Sequence, residues 1–192
     1  MPEPLLTEKV PPTPDHQIDT IGILVYDGAN TLDVLGPQNV LAANNQSVTH
    51  LIDVEDGPIT TTSGVSLMPD LTIADVNSLD ILVVPGGFLE TLEAAYDAKI
   101  HDWIRKIDST TMFTTSVCTG TWILGGAGLL EGKKATTNWY RAEEMLTGYG
   151  AEFTHERYTR DGKIWTSAGV SAASIWRWPS SAKFAAKTTR RP

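Results

Sequence analysis

Cys118 is the sole cysteine of the chain, and it stands in Thr-Thr-Ser-Val-Cys-Thr-Gly, where a β-branched run gives way to small residues. A strand that runs straight into a helix must turn sharply, and such a turn tolerates little bulk beside its central residue. Ser116-Val117-Cys118-Thr119-Gly120 has the spacing of that elbow, with the nucleophile at its centre. At the N-terminus of the following helix, unpaired backbone N–H groups and the helix dipole favour an anion. The thiol pKa is therefore expected to fall, leaving thiolate, the reactive form, populated near neutrality. The competing reading of a lone cysteine is a buried structural side chain.

The elements around Cys118 determine what could meet it. Thr20 to Tyr26 and Ile81 to Val84 are continuous apolar runs of strand length, the second ending at Pro85-Gly86-Gly87. Such runs suit strands covered on both faces. Leu32 to Ala43 has helical spacing at Leu32, Leu35, Val40 and Leu41, with Asp33 placed to cap it. Val48 to Val54 and Ile59 to Thr62 read as short strands, Asp97 to Ile107 as an amphipathic helix, and Met112 to Val117 as a strand. A glycine-rich apolar helix carrying Trp122, Ile123, Leu124, Leu129 and Leu130 follows Cys118. Glu152 to Tyr158 and Lys163 to Thr166 read as a hairpin about Asp161-Gly162. Strands alternating with helices predict a parallel α/β sheet, whose ligands sit beyond the carboxyl ends of the strands. Three loops end such strands: Asp27 to Leu32, Gly86 to Leu89, and Cys118 itself.

Composition narrows the class. The 192 residues, 41% hydrophobic and 20% charged, suit one globular domain with a sizeable core. No apolar run has the length of a membrane span. Residues 1–17 hold five prolines and no apolar signal-like stretch, which predicts a disordered N-terminal arm and no secretion. One unpaired thiol suits a reducing, cytoplasmic setting, where the sequon Asn45-Gln46-Ser47 has no meaning. Net charge is −8, and after Asp161 come six basic residues and no acidic one, so the chain before that point carries about −14. An acidic body argues against a nucleic-acid partner.

Four blocks in order make the chain resemble the ThiJ/PfpI superfamily of class I glutamine amidotransferase-like proteins, from about Ile21 to Ala172. They are Tyr-Asp-Gly-Ala-Asn-Thr-Leu-Asp-Val-Leu-Gly-Pro (Tyr26 to Pro37), Asp-Ile-Leu-Val-Val-Pro-Gly-Gly (Asp80 to Gly87), Ser-Val-Cys-Thr-Gly, and Ala-Thr-Thr-Asn-Trp (Ala135 to Trp139) with a later Thr-Ser-Ala-Gly-Val-Ser-Ala. The resemblance implies a flavodoxin-like three-layer sandwich over 18–172, a homodimer, Cys118 as elbow nucleophile, and Asp33 reaching its sulfur. Read by itself, Asp33 is a helix cap. Packed against a thiolate, it would hold a proton near neutrality and act as general acid. Gly86 and Gly87 would leave backbone N–H groups free for developing negative charge, with the Thr119 amide as a further donor. A simple tight turn accounts for the two glycines equally well.

Within the superfamily, Leu-Asp-x-x-Gly-Pro with Cys-Thr-Gly and Ala-Thr-Thr-x-Trp is most similar to isocyanide hydratases. The implied reaction hydrates R–NC to an N-substituted formamide through a cysteine thioimidate, on a small-molecule substrate and without metal or organic cofactor. A glyoxalase-like or deglycase-like activity on reactive carbonyls would use the same thiolate and acid. A non-catalytic sensing domain is the alternative outside enzymology.

Asn138 stands where many relatives carry His, which removes a Cys-His pair. It reads either as a donor to substrate or loop, or as a turn residue. His155 and Glu156, adjacent on a strand, face opposite sides, and the four histidines read as structural or solvated. Trp122, Trp139 and Tyr140 default to the core. After Ala172 the family pattern stops: residues 173–192 form an atypical basic tail in which Pro179 would break a helix, so the closing helix is expected to be lost.

Overall fold

The fold is described by a computed structural model covering residues 18–42 and 47–173. The N-terminal arm, and all of the expected tail except Ala173, lie outside these residues, and so does the question of a closing helix. In chain order the elements are β1 (Thr20–Leu24), α1 (Thr31–Ala42), β2 (Val48–Asp53), β3 (Ile59–Thr60), β4 (Ser66–Leu67), β5 (Leu71–Thr72), β6 (Ile81–Val84), α2 (Leu89–Ala94) and α3 (Ala98–Asp108). They continue with β7 (Phe113–Val117), α4 (Gly120–Gly126), β8 (Lys134–Ala135), α5 (Ala142–Gly148), β9 (Glu152–Phe153), β10 (Tyr158–Asp161), β11 (Ile164–Ser167) and α6 (Val170–Ala173).

Seven strands form the central sheet in the order β10-β11-β7-β6-β1-β2-β5. Every pairing is parallel except β10 with β11. The chain moves outward from β1 to β2, then returns to place β6 on the other side of β1. The order β2-β1-β6-β7-β11 is the flavodoxin-like one, with its topological switch point between β1 and β6. The expected α/β architecture is therefore present. All four residues of β6 and all five of β7 are buried, as continuous apolar or β-branched runs in a covered parallel sheet should be.

The hydroxyls of β7 are partnered inside the core, which is what makes their burial tolerable. Thr114 donates to Asp108 Oδ1 at 2.7 Å and Thr115 to the Leu82 carbonyl at 2.9 Å. Helix α3 buries Ile100, Trp103, Ile104 and Ile107, one face at helical spacing, and Asp97 caps it by accepting from the amides of Lys99 and Ile100.

Two sequence expectations shift. The hairpin is β10 with β11, turning at Gly162 with φ +63°, while Glu152 and Phe153 pair with β8 in a separate small sheet. The cap of α1 is Asn30, whose Oδ1 accepts from the amides of Leu32 (3.0 Å) and Asp33 (3.3 Å). Asp33 is thereby free for another task. Among the described residues, no helix is long and apolar enough to cross a membrane.

Candidate active site

The carboxyl ends of β1, β6 and β7 meet at the switch point. The loop after β1 is tied to the turn after β6 by a bridge between Ala29 and Gly87 and by the Asn30 amide donating to the Gly86 carbonyl at 2.7 Å. Cys118 follows β7 directly and precedes α4 by two residues. Its φ is +58°, a left-handed conformation that costs a side-chain-bearing residue about 1–3 kcal/mol and persists only when its surroundings impose it.

The clamps are identifiable. The Cys118 amide donates to the Ser167 carbonyl on β11 at 2.9 Å, while its carbonyl accepts from Thr137 Oγ1 at 2.8 Å and Thr121 Oγ1 at 3.3 Å. Behind the turn, a Cβ on Gly120 would lie 2.2 Å from the Val84 carbonyl oxygen, so only glycine lets the elbow seat on β6.

Asp33, in the first turn of α1, is 1% exposed. Its Oδ2 accepts the Gly86 amide at 3.2 Å, and its side chain is hydrogen-bonded to Cys118. Burial pushes the Asp33 carboxyl up to about 6, against the opposing hydrogen bonds from Gly86 and Cys118. Burial, and then the facing Asp33, push the half-buried Cys118 thiol up to about 11. The Thr119 amide and the side chains of Asn138 and Thr119 pull it down, but by less.

This overturns the expected fall in the thiol pKa. Helix α4 is only seven residues long, and its N-terminal contribution does not offset desolvation beside a carboxylate. Near pH 7 the pair therefore shares one negative charge and one proton between sulfur and carboxyl.

Gly86 and Gly87 also differ from expectation. Neither amide is free: Gly86 N–H is given to Asp33 and Gly87 N–H to Thr119 Oγ1 at 3.1 Å. A Cβ on Gly86 would meet Thr119 Oγ1 at 2.6 Å and the Thr119 nitrogen at 2.7 Å, so the close approach demands glycine. The donor aimed at the sulfur is the Thr119 amide. Asn138 fulfils both of its readings at once: its Oδ1 accepts the Tyr140 amide at 3.1 Å in a local turn, while its side chain bonds Cys118. A bond that lowers a thiol pKa must donate, so the Asn138 NH2 faces the sulfur.

Sequence reading missed Tyr26, Thr91, Thr137 and Ser167. Thr137 lies within the quoted Ala-Thr-Thr-Asn-Trp block, and its role follows only from the long-range contact with Cys118. Trp122 is buried as expected, but Trp139 (83%) and Tyr140 (54%) are exposed, so the core default fails for two of the three. His101 bonds the Ala95 carbonyl at 2.9 Å and His155 packs edge-on against Phe153, structural roles as read. His16 lies outside the described residues. Among the described residues, no three His, Cys, Asp or Glu side chains gather to hold a metal ion. An acidic groove of about 540 Å³ beside Tyr26, bordered by Asp53, Glu55 and Glu90, does not include Cys118.

Comparison with known proteins places this geometry in context. The model of the DJ-1/PfpI family matches residues 19–177. An isonitrile hydratase of Pseudomonas putida is 38% identical over 79% of this chain and 66% of its own length. A deglycase of Pyrococcus horikoshii is 30% identical over 77% of this chain and 87% of its own. Among solved structures, a ThiJ/PfpI family protein from Pseudomonas syringae superposes with a TM-score of 0.78 at 34% identity, covering 82% of this chain and 65% of that one. The chain thus spans just under two thirds of the hydratase and of the Pseudomonas syringae protein.

Proposed function

The chain belongs to the DJ-1/PfpI family, and from that membership we propose that it is a cysteine enzyme hydrating isocyanides, R–NC, to N-substituted formamides. The observation that carries the reading is the Asp33–Cys118 pair, a buried carboxyl hydrogen-bonded to the elbow thiol, with no histidine beside it among the described residues. Similarity to the isonitrile hydratase supports it.

The chemistry needs one proton in two places in turn, and the pair supplies it. Asp33 takes the thiol proton as the sulfur attacks the terminal isocyanide carbon, then delivers that proton to the same carbon, giving the thioimidate R–N=CH–S–Cys. The Asp33 carboxylate next takes a proton from water as its oxygen adds to that carbon, and the proton passes to nitrogen. Breaking the C–S bond releases R–NH–CHO, and the hydroxyl proton lost as the C=O forms passes through Asp33 back to the sulfur. The Thr119 amide and the Asn138 NH2 stabilise negative charge on sulfur whenever the proton is away. Leu32, Phe88 and Trp139, next in sequence to Asp33, Gly87 and Asn138 and each more than half exposed, are apolar side chains open to an uncharged R group.

The same thiol and carboxylate could attack a reactive carbonyl, the second reading, favoured by similarity to the deglycase. One experiment separates them: purified protein is supplied with an alkyl or aryl isocyanide and, in parallel, with methylglyoxal, and formamide and lactate are quantified. Formamide production that disappears in Cys118→Ala and Asp33→Ala is the expected result. Turnover that survives Cys118→Ala refutes the mechanism, and lactate without formamide transfers the assignment to the carbonyl reading.

A further inference from the structure

The turn after β6, Pro85-Gly86-Gly87, contains two successive peptide units, and each is gripped at both ends. The Gly86–Gly87 unit accepts the Asn30 amide at its carbonyl (2.7 Å) and donates its N–H to Thr119 Oγ1 (3.1 Å). The Pro85–Gly86 unit donates its N–H to Asp33 Oδ2 at 3.2 Å, and its carbonyl accepts the Tyr26 hydroxyl at 2.9 Å. Tyr26 stands just beyond β1, is 7% exposed and reaches Pro85 across 59 positions of sequence. It is a buried phenol that moves no proton in the reaction itself.

A peptide unit is planar, and in the trans form its C=O and N–H point in opposite directions. The Pro85–Gly86 bond is trans, so whatever fixes the Pro85 carbonyl also fixes the direction of the Gly86 N–H. The unit does little to resist rotation by itself, because glycine has no Cβ on one side and proline leaves ψ free on the other. Glycine is nevertheless required there: a Cβ on Gly86 would lie 2.7 Å from the Thr119 nitrogen and 3.0 Å from Asp33 Oδ2. The restraint must therefore come from outside the turn. Rotated over, the unit would present a carbonyl oxygen to the carboxyl where it now presents an N–H.

We infer that Tyr26 is a positioning residue for Asp33: by holding the Pro85 carbonyl, its hydroxyl keeps the Gly86 N–H turned toward the carboxyl. A carbonyl only accepts, so the Tyr26 proton is committed to Pro85, and the contact with Thr91 Oγ1 at 3.1 Å is one that the phenol oxygen accepts. Burial keeps the phenol protonated, so the donor is present over the whole working range of pH. Hydrogen bonds in series polarise one another, so the grip on the carbonyl also strengthens the N–H as a donor. An aimed N–H favours the ionised form of the carboxyl, the form that can take a proton from the thiol. The titratable groups facing Asp33 are the Cys118 thiol and the Tyr26 phenol. Of the elements packed on α1, β2 carries His50 and Asp53, neither of which perturbs Asp33, and α6 has no ionisable side chain. The inference is independent of the substrate proposed above.

The test is the titration of Asp33, followed by NMR of the carboxyl carbons in protein labelled with 13C-aspartate, with the Asp33 signal identified by its absence from Asp33→Asn. In Tyr26→Phe the Asp33 midpoint should rise by about 0.5–1 pH unit, making it a three- to tenfold weaker acid. Thr91→Val removes the other partner of the phenol and leaves the Pro85 bond in place, so its Asp33 midpoint should match wild type. In wild type the Gly86 amide proton should shift along the Asp33 titration curve, and in Tyr26→Phe that movement should be largely lost. An unchanged or lowered midpoint in Tyr26→Phe overturns the inference, as does an equal rise in Thr91→Val, which would assign the effect to loosened packing. A wild-type Gly86 amide indifferent to the Asp33 titration overturns it too, whether or not the variants fold.

Discussion

Asp33→Asn should inactivate the protein and make it more stable. The carboxyl is 1% exposed and its pKa stands at about 6 in the fold against an ordinary 3.8, so no solvent screening dilutes the effect. A raised acid pKa means that the folded chain binds the proton more tightly than the unfolded one. The stability this gives is full below the ordinary value near 4 and is lost as pH rises through about 6. At pH 7.5 the ionised carboxylate therefore costs about 3 kcal/mol relative to its protonated form. Asparagine removes the charge and keeps an oxygen to accept the Gly86 amide, so the variant should recover most of that amount. In a domain of this size the melting temperature should rise by about 6–10 °C at pH 7.5. The advantage should shrink to about 1 kcal/mol at pH 4.5, where folded Asp33 is mostly protonated and only the unfolded chain's carboxyl still ionises. Paired thermal and urea melts followed by circular dichroism from pH 4.5 to 8 make the measurement. A variant no more stable than wild type at pH 7.5, or a gap that does not narrow on acidification, refutes the burial argument.

Two further outcomes follow from the same geometry. Since the working form of the pair is thiol with carboxylate, kcat/KM should rise as pH climbs through about 6 and then stay level toward the thiol titration near 11; a profile rising through pH 8–9 would indicate an ordinary, unperturbed cysteine. Because Cys118 holds φ at +58°, Cys118→Gly, though inactive, should be more stable than Cys118→Ala by about 1 kcal/mol in urea melts, and equal stabilities would deny strain at the elbow.

Local signals in the sequence were sound where chemistry is local. The β-branched run before Cys118, the small residues after it and the period of Ile100, Trp103, Ile104 and Ile107 each describe their own few turns of chain, and each element starts where they put it, although α4 stops at Gly126, short of the expected Leu129 and Leu130. Asp33 illustrates the limit. Asn30 and Asp33 are both cap-forming types three positions apart, and only the partner waiting at Gly86 and Cys118 decides which one caps and which one turns inward. The thiol pKa was misjudged for the same reason: a helix N-terminus is visible in a string of residues, while depth of burial beside a carboxylate is a property of packing. Tyr26 and Thr91 carry no local mark, since their partners come from strands and helices scores of residues away. Trp139 went the other way: a large aromatic reads as core by type, yet its loop holds it in the open.

The Cys118 amide bonds the carbonyl of Ser167 at the end of β11. That bond makes the backbone of the nucleophile a reporter on a different strand. Its hydrogen-exchange rate, followed by NMR at a single resonance, registers any opening of β11 from β7 without a ligand or an assay. It also means that a change in the chain just beyond Ser167, far from the sulfur in sequence, has a direct mechanical path to the angle at which the thiol is presented.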